Sequence, residues 1–390
     1  MSRPRPAPPP PADPAAAMPR AAPFARLQRL AGLVLLWPGL LAGADSPPRS
    51  APSRPGALAA ETPPSAARPP VRRIGRVDHV ALPDVARALG LQFAATDQGR
   101  SATLKGPGIS AAFEADSREA TLNGLRLFLG DPVAVASGVL CLSRVDFERA
   151  VAPVLRPGFG LDPRPAPRVI VLDAGHGGHD PGRVNAPLKI NEKTLTLDVA
   201  RRARRLLEAD GFKVVLTRES DTFIALPQRA AASNLVQADA FVSIHFNALP
   251  QDARTSGVEV YTFPPRGQRS ANSWSPGAKE DAEQHASPVH RLDGWSALLA
   301  HSLHGRLVGD LKAPDRGRKL MHLAVLRPLQ APGVLVECGF LTSEAEARRI
   351  ATPEYRQQLA AALAAGIRDY ARDVGGARRA PRTSSSPSSR

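Results

Sequence analysis

The sequence predicts an α/β fold, a mixed and mostly parallel sheet flanked by helices, preceded by a small α+β module. Three observations point there. Beyond residue 167, apolar β-branched segments alternate with helical ones, the signature of a layered α/β unit. Before residue 157 the segments are short and alternating, with Asn123-Gly124 marking a tight turn. Between the two, residues 157–167 hold four prolines and two glycines in eleven positions, the composition of a linker.

The first unit spans residues 73–156. Residues 77–82 read as a strand and 83–89 as a helix stopped by Gly90. Short strands follow at 91–95, 101–105, 109–115, 119–122 and 125–129, the last two forming a hairpin about the Asn-Gly turn. A strand at 139–142 and a helix from Arg144 to 154 close the unit.

In the second unit, residues 168–374, strands are expected at 168–172, 213–217, 240–245, 257–263, 322–326 and 333–337. Helices are expected at 192–208, closed by Gly211, and at 226–237, 294–311, 343–350 and 353–374. The Ser/Arg-rich tail, 375–390, reads as disordered.

The chain's 390 residues carry a net charge of +15, which resembles a nucleic-acid signature until it is mapped. Residues 1–73 account for +7 and 375–390 for +4, so the folded middle is only mildly basic and no nucleic-acid partner is expected. The N-terminus reads as an export signal. Arg26 and Arg29 precede an apolar run at 30–41, and Ala42-Gly43-Ala44 supplies a cleavage pattern, with translation starting at Met18. That run is too short for a stable membrane span. Residues 1–44 are therefore expected as a signal peptide and 45–72, rich in Pro and Ala, as a disordered spacer. The destination would be periplasmic or secreted. Cys141 and Cys338, one in each unit, are too few for a disulfide scaffold.

The chemistry is expected at strand ends. The strand at 168–172 runs into Asp173-Ala-Gly-His176-Gly-Gly-His-Asp-Pro-Gly182, a glycine-rich loop at the carboxyl end of a buried strand, where open α/β sheets place ligands. The strand at 240–245 ends in His245 and the strand at 333–337 in Glu337. Glu192 opens the helix after the glycine loop. An acid there also suits the helix dipole, so position alone leaves Glu192 with two readings. Two neutral imidazoles and one carboxylate make a tripodal zinc site with an open fourth position. A further carboxylate, off the metal, is needed to move a proton. His176, Glu192 and His245 fit the first role and Glu337 the second.

On these residues the resemblance is specific. The pieces "VIVLDAGHGGHDPG", "ADAFVSIHFNA", "SGVEVYTF" and "APGVLVECGFLTSEAEARRI" stand in the order found in zinc-dependent N-acetylmuramoyl-L-alanine amidases of the type 3 family. The likeness covers residues 168–370. It implies the type 3 amidase fold, Zn2+ on His176, Glu192 and His245, and Glu337 as the catalytic glutamate. It also implies peptidoglycan as substrate, cut at the amide between N-acetylmuramic acid and L-alanine. Whether an envelope activator protein takes part stays open. Residues 73–156 are similar to the module named for the N-terminal domain of copper amine oxidases, on "VALPDVARALGLQF", "ATLNGLRLFL" and "VLCLSRVDFERAV". With only His79 and Cys141 available there, no copper is expected.

Departures from the family pattern are few. Ala174 stands where a proline is usual, and His179 is left out of the ligand set. Strand alternation turns Cys338 away from Glu337. Arg229 reads as a buttress. Asn247 reads either as a peptide contact or as a loop tie, and Asp173 either as a partner of a metal-bound His or as a pin for the glycine loop. Residues 264–293 read as a long surface loop. Within it Glu280 or Glu283 would block the site if it autoinhibits, and Trp274 is a candidate stacking residue. A zinc peptidase cutting within stem peptides and a non-enzymatic wall-binding protein on the same fold remain competing readings.

Overall fold

The structure, a computed structural model, describes residues 68–271 and 284–379. The expected signal peptide and most of the spacer lie outside the described residues, as do Trp274, Glu280 and Glu283.

The chain starts with β1 (Val71–Ile74), so two positions assigned to the spacer are strand. It continues through β2 (Val77–Ala81) and α1 (Leu82–Leu89), which Gly90 ends in a left-handed cap as expected. A meander follows: β3 (Gln92–Thr96), β4 (Ser101–Gly106), β5 (Ile109–Glu114), β6 (Glu119–Leu122) and β7 (Leu125–Phe128). Then come β8 (Ala134–Ala136), β9 (Val139–Ser143), and a helical stretch made of α2 (Arg144–Asp146), a π turn and α3 (Ala152–Leu155). The second half holds β10 (Val169–Ala174), the short pair β11 (Val184–Asn185) and β12 (Ile190–Asn191), α4 (Glu192–Ala209), β13 (Lys213–Leu216) and α5 (Leu226–Leu235). It closes with β14 (Ala240–Asn247), β15 (Val258–Thr262), α6 (Asp293–Leu311), β16 (Asp315–Leu320), β17 (Gly333–Phe340), α7 (Glu344–Ala351) and α8 (Pro353–Arg379).

The fold class is the expected mixed α/β. Strands β13, β10, β14 and β17 run parallel, β15 pairs antiparallel with β17, and β16 pairs parallel with β15. Alternation sorts the side chains of β10. Ile170, Leu172 and Ala174 enter the core built with α4, α6 and α8, and Val171 enters a second core with Phe241 and Leu335.

The sheet does not stop at β16. β7 pairs with its free edge through Arg318 and Leu127, so the antiparallel meander continues the α/β sheet to eleven strands. The seam is reinforced by the Arg126 N–H, which donates to Asp315 Oδ2 at 2.9 Å. This seam explains a misplaced strand. Residues 322–326, expected as a strand, lie in a turn region, and the strand is β16, whose sequence Asp-Arg-Gly-Arg-Lys-Leu carries no apolar alternation. Pairing on both edges makes it a strand, information that no local pattern holds.

Two further expectations are corrected. The described part of 264–293 is not a surface loop throughout. Gln268 and Ser270 are buried, Gln268 donating to Asp146 Oδ1 at 2.9 Å and Ser270 bonding His322. The last helix runs to Arg379, through Gly375-Gly376, rather than ending at 374. There Gly375 lies against Ala166 of the linker, so the helix carries through both glycines despite their low helix propensity. Both thiols, Cys141 and Cys338, are buried and free.

Candidate active site

Residues His176, Glu192 and His245, expected from the sequence to act together, are brought together. Their ligand atoms lie within 4.8 Å of one another. His176 Nε2 is 3.1 Å and His245 Nδ1 3.0 Å from the same oxygen, Glu192 Oε1. Two donors at about 2.0–2.1 Å from one zinc ion and at tetrahedral angles stand roughly 3.3 Å apart, so this spacing fits a small divalent ion.

Each of the three is held by backbone. His176 has φ 62°, a left-handed conformation that the turn enforces through paired hydrogen bonds between Gly177 and Asp180. Its Nδ1 meets Asp180 Oδ2 at 2.8 Å, which turns Nε2 toward Glu192 Oε1. Glu192 opens α4 and is 4 % exposed. Its Oε1 also accepts from Phe246 N–H, and its Oε2 from Arg183 N–H. His245 lies over Gly175, where a Cβ would come within 2.4 Å of the imidazole, so only glycine fits. Gly182 is similarly constrained, since a Cβ there would meet Glu192 and His176 at 2.6 Å.

Glu337 pairs with His245 in the parallel register of β14 and β17, so the two side chains share one face. Its Oε2 is closed off from solvent with no partner among the described residues. Burial, with the Glu192 and Glu259 carboxylates nearby, pushes the Glu337 carboxyl well above the usual range. Glu192 goes the other way. Burial alone would raise it, but the hydrogen bonds from His176 and His245 outweigh that and hold it far below the usual range. Cys338 faces the opposite core, as alternation requires.

The polar residues with divided readings find internal partners. Asp173 touches no imidazole. It accepts from Arg229 at 2.8 Å, Thr217 Oγ1 at 2.6 Å and Ser243 Oγ at 2.7 Å. Arg229, 2 % exposed, donates onward to the carbonyls of Ala174 and His176. The pair thus pins the glycine loop, and Arg229 is a buttress. Asn247 ties its own loop through Ala248 N–H and donates to Glu259 at 3.3 Å. His179 stands away from the donors and stacks on Phe223, the ring centroids 4.2 Å apart.

Two residues of the site escaped the sequence analysis. Asp180 follows His176 by four positions, a spacing that carried a signal had loop carboxylates been weighed as partners of a ligand. Glu259 is a buried acid between Val258 and Val260, and an inward charge in an apolar strand is a signal of its own.

A model of the family described as N-acetylmuramoyl-L-alanine amidase matches residues 170–369, just over half of the chain. The chain belongs to that family. Among its relatives, an N-acetylmuramoyl-L-alanine amidase AmiC of Neisseria meningitidis is 34 % identical over 239 residues, 55 % of each chain. An AmiC of Escherichia coli is 33 % identical over 247 residues, 58 % of this chain and 59 % of its own. The germination-specific N-acetylmuramoyl-L-alanine amidase of Bacillus subtilis is 30 % identical over 53 % of this chain and 81 % of its own. The chain spans a little over half the length of the AmiC amidases it matches. A solved structure of the catalytic domain of the amidase CwlV from Bacillus (Paenibacillus) polymyxa is 30 % identical with a TM-score of 0.43, covering 52 % of this chain and 97 % of that one. Within the amidase family match lie His176, His245 and Glu337, singled out by strand-end logic, and Glu192. No helix among the described residues is long and apolar enough to cross a membrane.

Proposed function

We propose that this chain is an exported, zinc-dependent peptidoglycan hydrolase that cleaves the amide between N-acetylmuramic acid and L-alanine of the stem peptide. The observation that carries the reading is the convergence of His176 Nε2, His245 Nδ1 and Glu192 Oε1 beside the partnerless Glu337 Oε2. Family membership supports the bond that is cut.

In this reading His176, Glu192 and His245 hold Zn2+. A bound zinc ion supplies acidification of a water molecule and polarisation of the scissile carbonyl. The chain's own residues do the rest. Asp180 fixes the His176 tautomer so that its free lone pair faces the ion. The N–H groups of Arg183 and Phe246 orient the Glu192 carboxylate. Glu337 takes a proton from the attacking water and hands it to the departing nitrogen. A carboxyl whose pKa is raised is suited to both halves of that exchange.

The flanking parts enter the same reading. Residues 1–44 act as the signal peptide, 45–70 as spacer, 157–167 as linker and 380–390 as tail. The 71–156 module serves wall binding or partner contact, beside the catalytic unit at 168–379. A mature N-terminus at Asp45, read by peptide sequencing of the exported chain, is the expected result for export.

Mass spectrometry of digested wall fragments tests the reaction. Intact stem peptides with a free L-alanine amine are expected. Fragments cut inside the stem peptide would replace this reading with a peptidase, and no release by zinc-loaded protein would replace it with a binding protein.

A further inference from the structure

The row of side chains that includes His245 and Glu337 continues across the sheet. Glu259 of β15 pairs with Glu337 and shares its face. It is 3 % exposed and fully engaged. Its Oε1 receives Arg316 Nε at 2.7 Å and Lys319 Nζ at 3.0 Å, and its Oε2 receives the Tyr261 hydroxyl and Asn247. One carboxylate therefore faces two cations. Lys319, 15 % exposed, suffices to balance it. Arg316 is in excess as charge, is 33 % exposed, and uses only Nε internally. Its two terminal nitrogens have no partner among the described residues. The guanidinium is held 5.2 Å over the Phe340 ring, so both of its edges are fixed, one by a buried acid and one by an aromatic face.

A guanidinium clamped at Nε, with its terminal nitrogens presented to solvent, is a fork for a planar anion. Its direction from the reacting centre is also fixed. The donors of the metal cluster sit over β10, β14 and the start of α4, with Glu337 next on β17 and Arg316 reaching over β17 from beyond. Resting on the reading above, Glu337 delivers its proton to the departing nitrogen, so that nitrogen and the peptide attached to it lie on the Glu337 side. An extended peptide advances about 3.3 Å per residue and neighbouring strands stand about 4.8 Å apart, so the first or second residue of the leaving peptide comes under the fork.

We propose that Arg316, positioned by Glu259, is a specificity residue that binds a free carboxylate on the leaving peptide within two residues of the scissile nitrogen. The substrate class favoured is thus a muramoyl peptide with its second residue's carboxyl free, over the same peptide with that carboxyl amidated.

The probe is a pair of muramoyl dipeptides with the γ-carboxyl amidated in both, N-acetylmuramoyl-L-alanyl-D-glutamine, whose α-carboxyl is free, and its α-amide. For the zinc-loaded full chain, kcat/KM is expected to favour the acid by about 10-fold or more, the discrimination of a charge-assisted bond, chiefly through KM. In Arg316→Gln the ratio is expected to collapse towards one. Arg316→Lys, which keeps charge but not the fork, and Glu259→Gln, which releases the clamp, are expected to fall between. The ratio is internal to each variant, so a loss of fold does not mimic the result. Equal turnover of acid and amide by the unaltered chain, or an equal loss on both in Arg316→Gln, overturns the proposal. Calorimetric binding of the pair to Glu337→Gln protein separates this proposal from the reaction itself. Acid preference that depends on Arg316 upholds the fork even if neither dipeptide is hydrolysed, and equal binding overturns it even if both are.

Discussion

Asp180 grips His176: the carboxylate Oδ2 lies 2.8 Å from the imidazole Nδ1, four residues apart across a two-glycine turn. The same carboxylate accepts Gly182 N–H through Oδ1. One side chain thus orients an imidazole of the donor cluster and holds the exit of its loop. Asp180→Ala is expected to weaken zinc affinity by about 10- to 100-fold, the usual loss when such a partner is removed. Competition with a chromogenic chelator measures it, and unchanged affinity would remove Asp180 from the site.

Glu337 has no part in the donor cluster, so its removal separates binding from turnover. Glu337→Ala is expected to keep about one zinc per chain while turnover falls by about 100-fold or more, the range for a lost general acid–base. Elemental analysis beside the muropeptide assay reads both. An active Glu337→Ala protein would refute the proton-carrier role.

The Arg229–Asp173 pair is buried on both sides, at 3 % and 1 % side-chain exposure. Arg229→Ala leaves the Asp173 charge without its cation and takes the side-chain donor from the carbonyls of Ile224 and His176. A loss of about 3–5 kcal/mol is expected, the scale for breaking a buried pair from one side. Urea unfolding measures it, and a loss under about 1 kcal/mol would place the loop's support elsewhere.

Asp293, at the start of α6, faces a cavity of about 20 Å³ lined also by Asp146, Arg149 and Arg318. Burial, only partly countered by Arg149, raises its pKa well above the ordinary 3.8, and its Oδ1 has no partner among the described residues. The folded chain then holds a proton there that the unfolded chain releases above about pH 4, so this group's contribution to stability declines as pH rises. Asp293→Asn keeps the shape and removes the ionisation. Its melting temperature is expected to exceed that of the unaltered chain by a margin that widens from pH 5 to pH 8. A constant margin, or a deficit, would show Asp293 to be ionised in the fold.

The seam between β7 and β16 carries a prediction about cooperativity. Arg126, Asp146, Asp315 and Gln268 bond across it, so the two halves share a sheet and polar contacts. Calorimetry is expected to show one unfolding transition. A chain beginning at 157 bares the edge of β16, and self-association by light scattering is expected. Two separate transitions in the intact chain would contradict a shared sheet as the unit of folding.

The sequence by itself determined the layered α/β class, most strand and helix positions, and the placing of His176, His245 and Glu337 as candidates at one end of the sheet. It could do so because those features are local. Buried parallel strands read as apolar runs, caps and glycines punctuate them, His245 and Glu337 directly follow such apolar runs within β14 and β17, and His176 lies in the glycine loop just past β10. What it could not reach depends on partners distant along the chain. β16 is a strand only because β15 and β7 flank it, and Gln268 and Ser270 are buried only because Asp146 and His322 receive them. Glu192 faces both imidazoles only because α4 begins where β10 and β14 end, which decided between a helix-dipole acid and a member of the cluster. Arg316 stood in a run read as no element at all. Tertiary structure alone set it against Glu259, since hydrogen-bond geometry and burial are properties of the closed sheet and not of any stretch of sequence.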